Sequence, residues 1–212
     1  MKEQRYQGDY MHKSDHHIYI EPPHKIRDTV AHYTITAPAN KPLRCTNYHI
    51  LPDASGCIIL QEEIALYWGP MQELVIQEND LERSSPRFFI EFRPGGLYQI
   101  SGKPMAPYMN KREALSAFDH TIDHELRTLY KNSQTYEELI QSCNTWMEER
   151  IQLHSLPARM IHAMNLIEQA KGNISVDHVA SSCHISMRQL RRDFSIYIGL
   201  SPKQYANVTR IN

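Results

Sequence analysis

The stretch Asn173–Tyr205, NISVDHVASSCHISMRQLRRDFSIYIGLSPKQY, decides the fold of the C-terminal part of this chain, because its punctuation marks successive short helices. Gly172 supplies the left-handed residue that ends a preceding helix. Ser175 then caps the next one, with Asp177 in its first turn where the helix dipole favours an anion. Val176, Val179 and Ala180 fall on one face of that helix. After Cys183 and His184, the tetrad Ser186-Met187-Arg188-Gln189 reads as a capping box, in which Ser186 caps the Gln189 amide and the Gln189 side chain reaches back. A second helix therefore starts at Met187, with Met187, Leu190, Phe194 and Tyr197 at the spacing of a buried stripe. Gly199 ends it, and Ser201-Pro202 opens another helix with a capping hydroxyl and a proline where no amide hydrogen is needed.

With that face buried, Arg188, Arg191 and Arg192 stand at i, i+3 and i+4 and project together from the exposed, early part of the second helix. A short helix, a tight turn and a second helix with arginines near its start is the order in which recognition helices present side chains to base edges. Arginine there grips guanine O6 and N7 bidentately in the major groove. The pattern points to double-stranded DNA as partner, with a solvated basic face as the plainer alternative. Arg188, Arg191 and Arg192 are the expected readers of bases or phosphates, and Ser175, Ser186, Gln189, Ser201 and Lys203 the expected backbone contacts.

These residues resemble the first helix-turn-helix of AraC-type transcriptional regulators, through Ser175, Ala180, Ser186, Leu190, Arg192, Phe194, Gly199, Ser201, Pro202 and Tyr205. The resemblance covers about residues 157–212 and implies two such units joined by a long helix. Asn212 falls inside the expected connecting helix, so the sequence holds one unit and the second is absent.

The 212 residues allow two small domains, 41% of them apolar and with no run near the ~18 residues a membrane helix needs. No charged-then-apolar leader opens the chain, and a cytoplasmic protein with no membrane partner is expected. Cys45, Cys57, Cys143 and Cys183 are scattered without close pairing and read as reduced core thiols, neither a zinc site nor a disulfide framework. The net charge of −1 conceals an asymmetry. From Pro157 onward seven Lys and Arg face three acids, a net +4, while the first 156 residues carry −5. A basic end suits contact with phosphates.

Residues 1–17 read as a mobile polar arm, whose His12, His16 and His17 lack a partner at metal-ligand spacing. Residues 18–110 read as a β-rich domain with strands over 18–21, 29–36, 48–51, 57–61, 64–68, 73–77 and 87–92, separated by Pro, Gly, Asn and Asp. Strands so spaced suggest an antiparallel barrel or sandwich. The run FFIEFRPGGLYQISGKPM, Phe88–Met105, looks like part of a sensor domain found in AraC-type regulators, as do His32-Tyr33 and Leu51-Pro52-Asp53. That likeness covers about residues 20–150 and implies effector sensing or dimerisation without naming the effector. His32, Tyr33, Tyr48, His49, Tyr67, Trp68, Phe92 and Tyr98 either line a small-molecule pocket or are plain core. Arg93 reads equally as a ligand contact or as a partner for a salt bridge or turn carbonyl.

Residues 111–155 turn to helical period. Ala114, Leu115, Phe118, Ile122, Leu126 and Leu129 predict one helix. Leu139, Ile140, Cys143, Trp146, Met147 and Ile151 predict a second over about 135–152. The likeness implies that this hairpin dimerises; packing on the chain's own sheet is the alternative. His120 and His124 share metal-ligand spacing but read as solvated surface. His154–Pro157 is a short joint, followed by a helix with Met160, Ile161, Met164, Ile167 and Ala170 facing inward, which opens the last domain at about residue 156.

The expected fold class is therefore α+β. The expected function is a DNA-binding transcription regulator, not an enzyme and without a cofactor or metal, controlled by an unknown small-molecule effector and dimeric. Two other classes stay open: a cupin-like metal enzyme drawing on His32 and His49, and a truncated dimerising interaction module.

Overall fold

The computed structural model describes residues 8–13, 17–36, 47–62, 64–78 and 86–211, and the chain is α+β as expected. Its strands are β1 (His12–Lys13), β2 (His17–Ile20), β3 (Val30–Thr36), β4 (Asn47–Ile50), β5 (Cys57–Gln61), β6 (Ile64–Trp68), β7 (Val75–Glu78), β8 (Arg87–Phe92) and β9 (Arg112–Ala114). Seven of them form one antiparallel sheet in the order β1-β2-β3-β8-β5-β6-β9, and β4 pairs with β7 in a separate two-stranded ladder.

Alternation sorts the large sheet's residues onto two faces. The register aligns Ile18 with Ile35, Ile20 with Tyr33, Tyr33 with Ile90 and Ile90 with Ile58, so these side chains share one face. That face is the floor of the main core. The helices α1 (Gly96–Ser101), α2 (Leu115–Phe118), α3 (His120–Asn132) and α4 (Tyr136–Ile151) supply the rest of it, with Leu97, Ile100, Phe118, Ile122, Leu126, Leu139, Cys143 and Met147 all buried. Each large apolar side chain so enclosed contributes on the order of 1.5–3 kcal/mol. Aromatic rings tie the layers: Tyr33 stacks on Phe88 at 5.4 Å, and the Tyr33 hydroxyl donates to Asn144 Oδ1 on α4 at 2.7 Å.

Three local expectations change. The arm is ordered where it meets the sheet: His12 and Lys13 pair with Tyr19 and Ile18, and the Met11 amide donates to the Tyr19 carbonyl at 2.8 Å. His16 lies outside the described residues. The helix expected straight after Lys111 is split. Residues 112–114 add β9 to the edge of β6 through Leu66–Ala114, Tyr67–Glu113 and Trp68–Arg112, leaving Ala114 exposed. Asp119, extended at φ −158 and ψ 118, then breaks α2 from α3 and caps α3 by accepting from the Thr121 and Ile122 amides at 2.9 and 3.0 Å. Lys103 Nζ fixes Asp119 at 2.9 Å, which selects the break. The apolar stripes of α3 and α4 pack on the chain's own sheet.

The C-terminal region is α5 (Ala158–Gln169), α6 (Val176–Ser182), α7 (Met187–Tyr197) and α8 (Pro202–Ile211) around a second core. Met160, Ala163, Ile167, Val179, Leu190, Phe194, Ile198 and Tyr205 fill it. Ile161, expected inward, is exposed at 46%, because the i, i+3, i+4 set Met160, Ala163, Met164 and Ile167 turns it outward.

Candidate functional site

Two places hold the sequence's candidate residues: the outer face of α7, and a cavity on the second face of the sheet.

The first is built by caps. The Ser175 hydroxyl accepts from the His178 amide at 3.1 Å and starts α6; the Ser186 hydroxyl accepts from the Gln189 amide at 3.1 Å and starts α7. Between them His184 takes φ 53 and the Ile185 amide returns to the Ala180 carbonyl at 3.1 Å, which closes the turn. Arg188, Arg191 and Arg192 stand exposed together near the start of α7, and none is in an ion pair among the described residues. Ser175, Ser186 and Lys203 are also exposed, while Gln189 is half-buried.

Gln189 corrects the expected box. Its side chain does not return to Ser186; its Nε2 donates to Asp193 Oδ1 at 2.7 Å, one helical turn on. The reciprocal box forms one helix later, where the Ser201 amide donates to Gln204 Oε1 at 2.7 Å and the Gln204 amide to the Ser201 hydroxyl at 3.3 Å. Asp193 itself is 2% exposed, a feature charge counting missed. Arg159 on α5 donates to it through Nε at 2.7 Å, and that bond holds the Arg159 guanidinium pKa above its ordinary value. The signal in the sequence was the i, i+4 spacing of Gln189 and Asp193. These bonds lock α7 to α5 while its arginine face stays open.

The far end of α7 docks on the sheet domain. The Met105 amide donates to the Ile196 carbonyl at 2.8 Å, and Tyr98 meets Tyr197 edge-on at 4.7 Å. Gly199, at φ 86, lies so close to Met105 that an added Cβ would sit 2.9 Å from its carbonyl oxygen. A side chain there would separate the two regions.

The second place is a half-open cavity of about 390 Å3 lined by Ile50, Leu51, Pro52, Asp53, Gly56, Cys57, Trp68, Gly69, Met71, Phe89 and Glu91. Register puts His32, Glu91, Cys57 and Trp68 in one cross-strand row on the face away from the main core. Of the expected pocket set, Trp68 lines the cavity. Tyr33, Tyr67 and Phe92 point the other way, into the main core, because neighbours along a strand alternate faces. Tyr98 sits on α1 at the contact with α7. His32 lies edge-on to Tyr19 at 5.5 Å, and burial together with Arg93 lowers its pKa. Arg93 is exposed and donates to the Arg27 carbonyl at 2.6 Å, the turn-carbonyl alternative. The side chains of Tyr48 and His49 lie outside the described residues.

Sequence reading missed Glu91. It is half-buried on the cavity wall, and burial, then Asp53, push its pKa up to about 7. The hydrogen bond from the Cys57 thiol opposes this. The Cys57 thiol is itself pushed well up, by burial and then by Glu91 and Asp53.

Among the described residues, no group of three or more His, Cys, Asp or Glu side chains is placed to hold a metal ion; His120 and His124 are exposed on α3. Cys57 and Cys143 are buried and Cys183 half-buried, none of the three in a disulfide, while Cys45 lies outside the described residues. No described helix is long and apolar enough to cross a membrane. Comparison with family models, curated proteins and solved structures gives no match.

Proposed function

We propose that this chain is a cytoplasmic, sequence-specific DNA-binding transcription regulator of the AraC type, whose sheet domain binds a small-molecule effector. The observation that carries the reading is the exposed trio Arg188, Arg191 and Arg192 at the start of α7, preceded by a capped short helix and a tight turn. Helix-turn-helix readers present their early recognition-helix residues to the major groove in this way, and the N-terminal amides of such helices suit phosphate contact. Arg188, Arg191 and Arg192 contact base edges or phosphates, while Ser175, Ser186 and Lys203 are placed for backbone phosphates. One helix-turn-helix reaches one groove segment, and the reading includes a homodimer on DNA.

Selection from random duplexes, followed by fluorescence anisotropy on the enriched sequence, tests it. Arg192→Ala is expected to lose roughly 1–3 kcal/mol of specific binding and to relax preference at one base position. Unchanged affinity and preference would remove Arg192 from the readout. Failure of selection to enrich any sequence would remove the reading itself.

A further inference from the structure

The cavity's lining has one electrostatic sign. Its walls are Ile50, Leu51, Pro52, Trp68, Met71 and Phe89, and its two charged side chains, Asp53 and Glu91, are both acids. No described cation offsets Glu91, whose surroundings are Asp53, the Cys57 thiol and, across the β3–β8 ladder, His32, whose pKa burial and Arg93 lower. A thiol is a weak donor, so it compensates little of the desolvation this carboxylate suffers. Arg112 lies over the Trp68 ring at 5.6 Å from its centroid but outside the lining, as does Arg93. The rim is rigid where it carries the acid. Asp53 and Met71 exchange backbone hydrogen bonds at 2.9 and 2.7 Å, and Asp53 Oδ1 accepts from the Ser55 amide at 3.0 Å. An apolar, aromatic-walled space with two acids and, among the described residues, no cation in its lining is the complement of one ligand chemistry. Resting on the reading of the sheet domain as a sensor, we propose that the cavity binds a small organic cation, a protonated amine on an apolar or aromatic body, with its ammonium between Glu91 and Asp53 and its body against Trp68 and Phe89.

In this arrangement the ammonium donates to both carboxylates, and the apolar body packs on Trp68 and Phe89. The cavity also adjoins the helical region. Ala54, next to Asp53, packs in the second core, and the Gln204 side-chain amide at the start of α8 donates to the Gln72 side chain beside Met71. A ligand that braces Asp53 and Met71 thus presses on the elements that hold α8.

The test is calorimetric titration and thermal unfolding of the full chain at pH 8 with 2-phenylethylamine and tryptamine, against their uncharged alcohols 2-phenylethanol and indole-3-ethanol. At least one amine is expected to bind and raise the melting temperature by about 5 °C at saturation, with the matching alcohol at least about tenfold weaker. Glu91→Gln is expected to weaken the amine about tenfold or more, Asp53→Asn less, and affinity is expected to fall from pH 8 to pH 5.5 as Glu91 takes up its proton. Equal binding of alcohol and amine, amine binding unchanged by Glu91→Gln, or no binding of either amine would each overturn the proposal. The DNA reading is separable. Arg192→Ala should bind amine like the parent, so a chain that binds amine and no DNA keeps the cavity and loses the regulator, and the reverse result does the opposite.

Discussion

Asp193 in the helical region is buried and Glu91 in the sheet domain half-buried, and the two carboxylates differ in what meets them. Asp193 receives the Arg159 guanidinium and the Gln189 amide, so the two helices it joins hold one arrangement. Glu91 receives a thiol and faces a second acid across open space. A buried acid with matched donors is a structural fastening, whereas one without them keeps a standing cost that only a proton or a ligand removes. The same residue type thus marks a joint in one region and a vacancy for chemistry in the other.

The largest test removes the joint. Asp193→Ala deletes charge-assisted bonds at a site 2% exposed and is expected to lower unfolding free energy by about 3 kcal/mol in urea titrations. Arg159 keeps partial access to water, with 42% of its side chain exposed, so the orphaned cation rehydrates and the loss stops short of unfolding the region. A loss below about 0.5 kcal/mol would mean that the pair is an ordinary surface bridge and that the comparison fails on its helical side.

The next test carries the opposite sign. Burial raises Glu91 from 4.5 to about 7, so the folded protein keeps this proton to higher pH than the unfolded chain does. The corresponding stability is fully present below the unfolded value and is lost as pH rises towards 7, after which the deficit is constant. Glu91→Gln abolishes the titration. Without ligand, it is expected to match the parent near pH 4.5 and to exceed it by about 2 kcal/mol at pH 8, measured as the difference between two unfolding curves at each pH. Asp53, Cys57 and His32, the groups that face Glu91, are common to both proteins, so the difference isolates this carboxyl. A mutant less stable than the parent at pH 8 would make Glu91 a fastening like Asp193.

Neither acid's role was legible in the sequence, and what could be read follows from the range of the signals. The caps Ser175, Ser186 and Ser201 act over three residues, so the helix starts of the C-terminal region could be read directly, as could β5, β6 and β8, whose apolar runs end at turn residues. The edge strands β1 and β9 are too short to show a period, and only pairing with β2 and β6 creates them. The pocket set divides by parity: adjacent His32 and Tyr33 face opposite sides of the sheet, and Tyr33 belongs to the main core. Glu91 stood in Arg87–Phe92 as the polar member of an alternating strand and looked solvent-facing. It instead lines a cavity together with Ile50, Leu51 and Met71, segments far from it in sequence.

The smallest effect separates Gln189's two roles. At the start of α7, beside Arg188, it is an expected contact to the DNA backbone, yet its side-chain amide is already bonded to Asp193 one turn along. A group that leaves this bond to meet a phosphate exchanges one hydrogen bond for another and gains little net affinity. Gln189→Ala is therefore expected to cost about 1 kcal/mol of stability while leaving the enriched DNA sequence and the affinity for it unchanged. Chemical denaturation and anisotropy on one preparation read both. Should affinity fall with stability intact, Gln189 releases Asp193 when DNA arrives, and the fastening at Asp193 would itself be part of the readout.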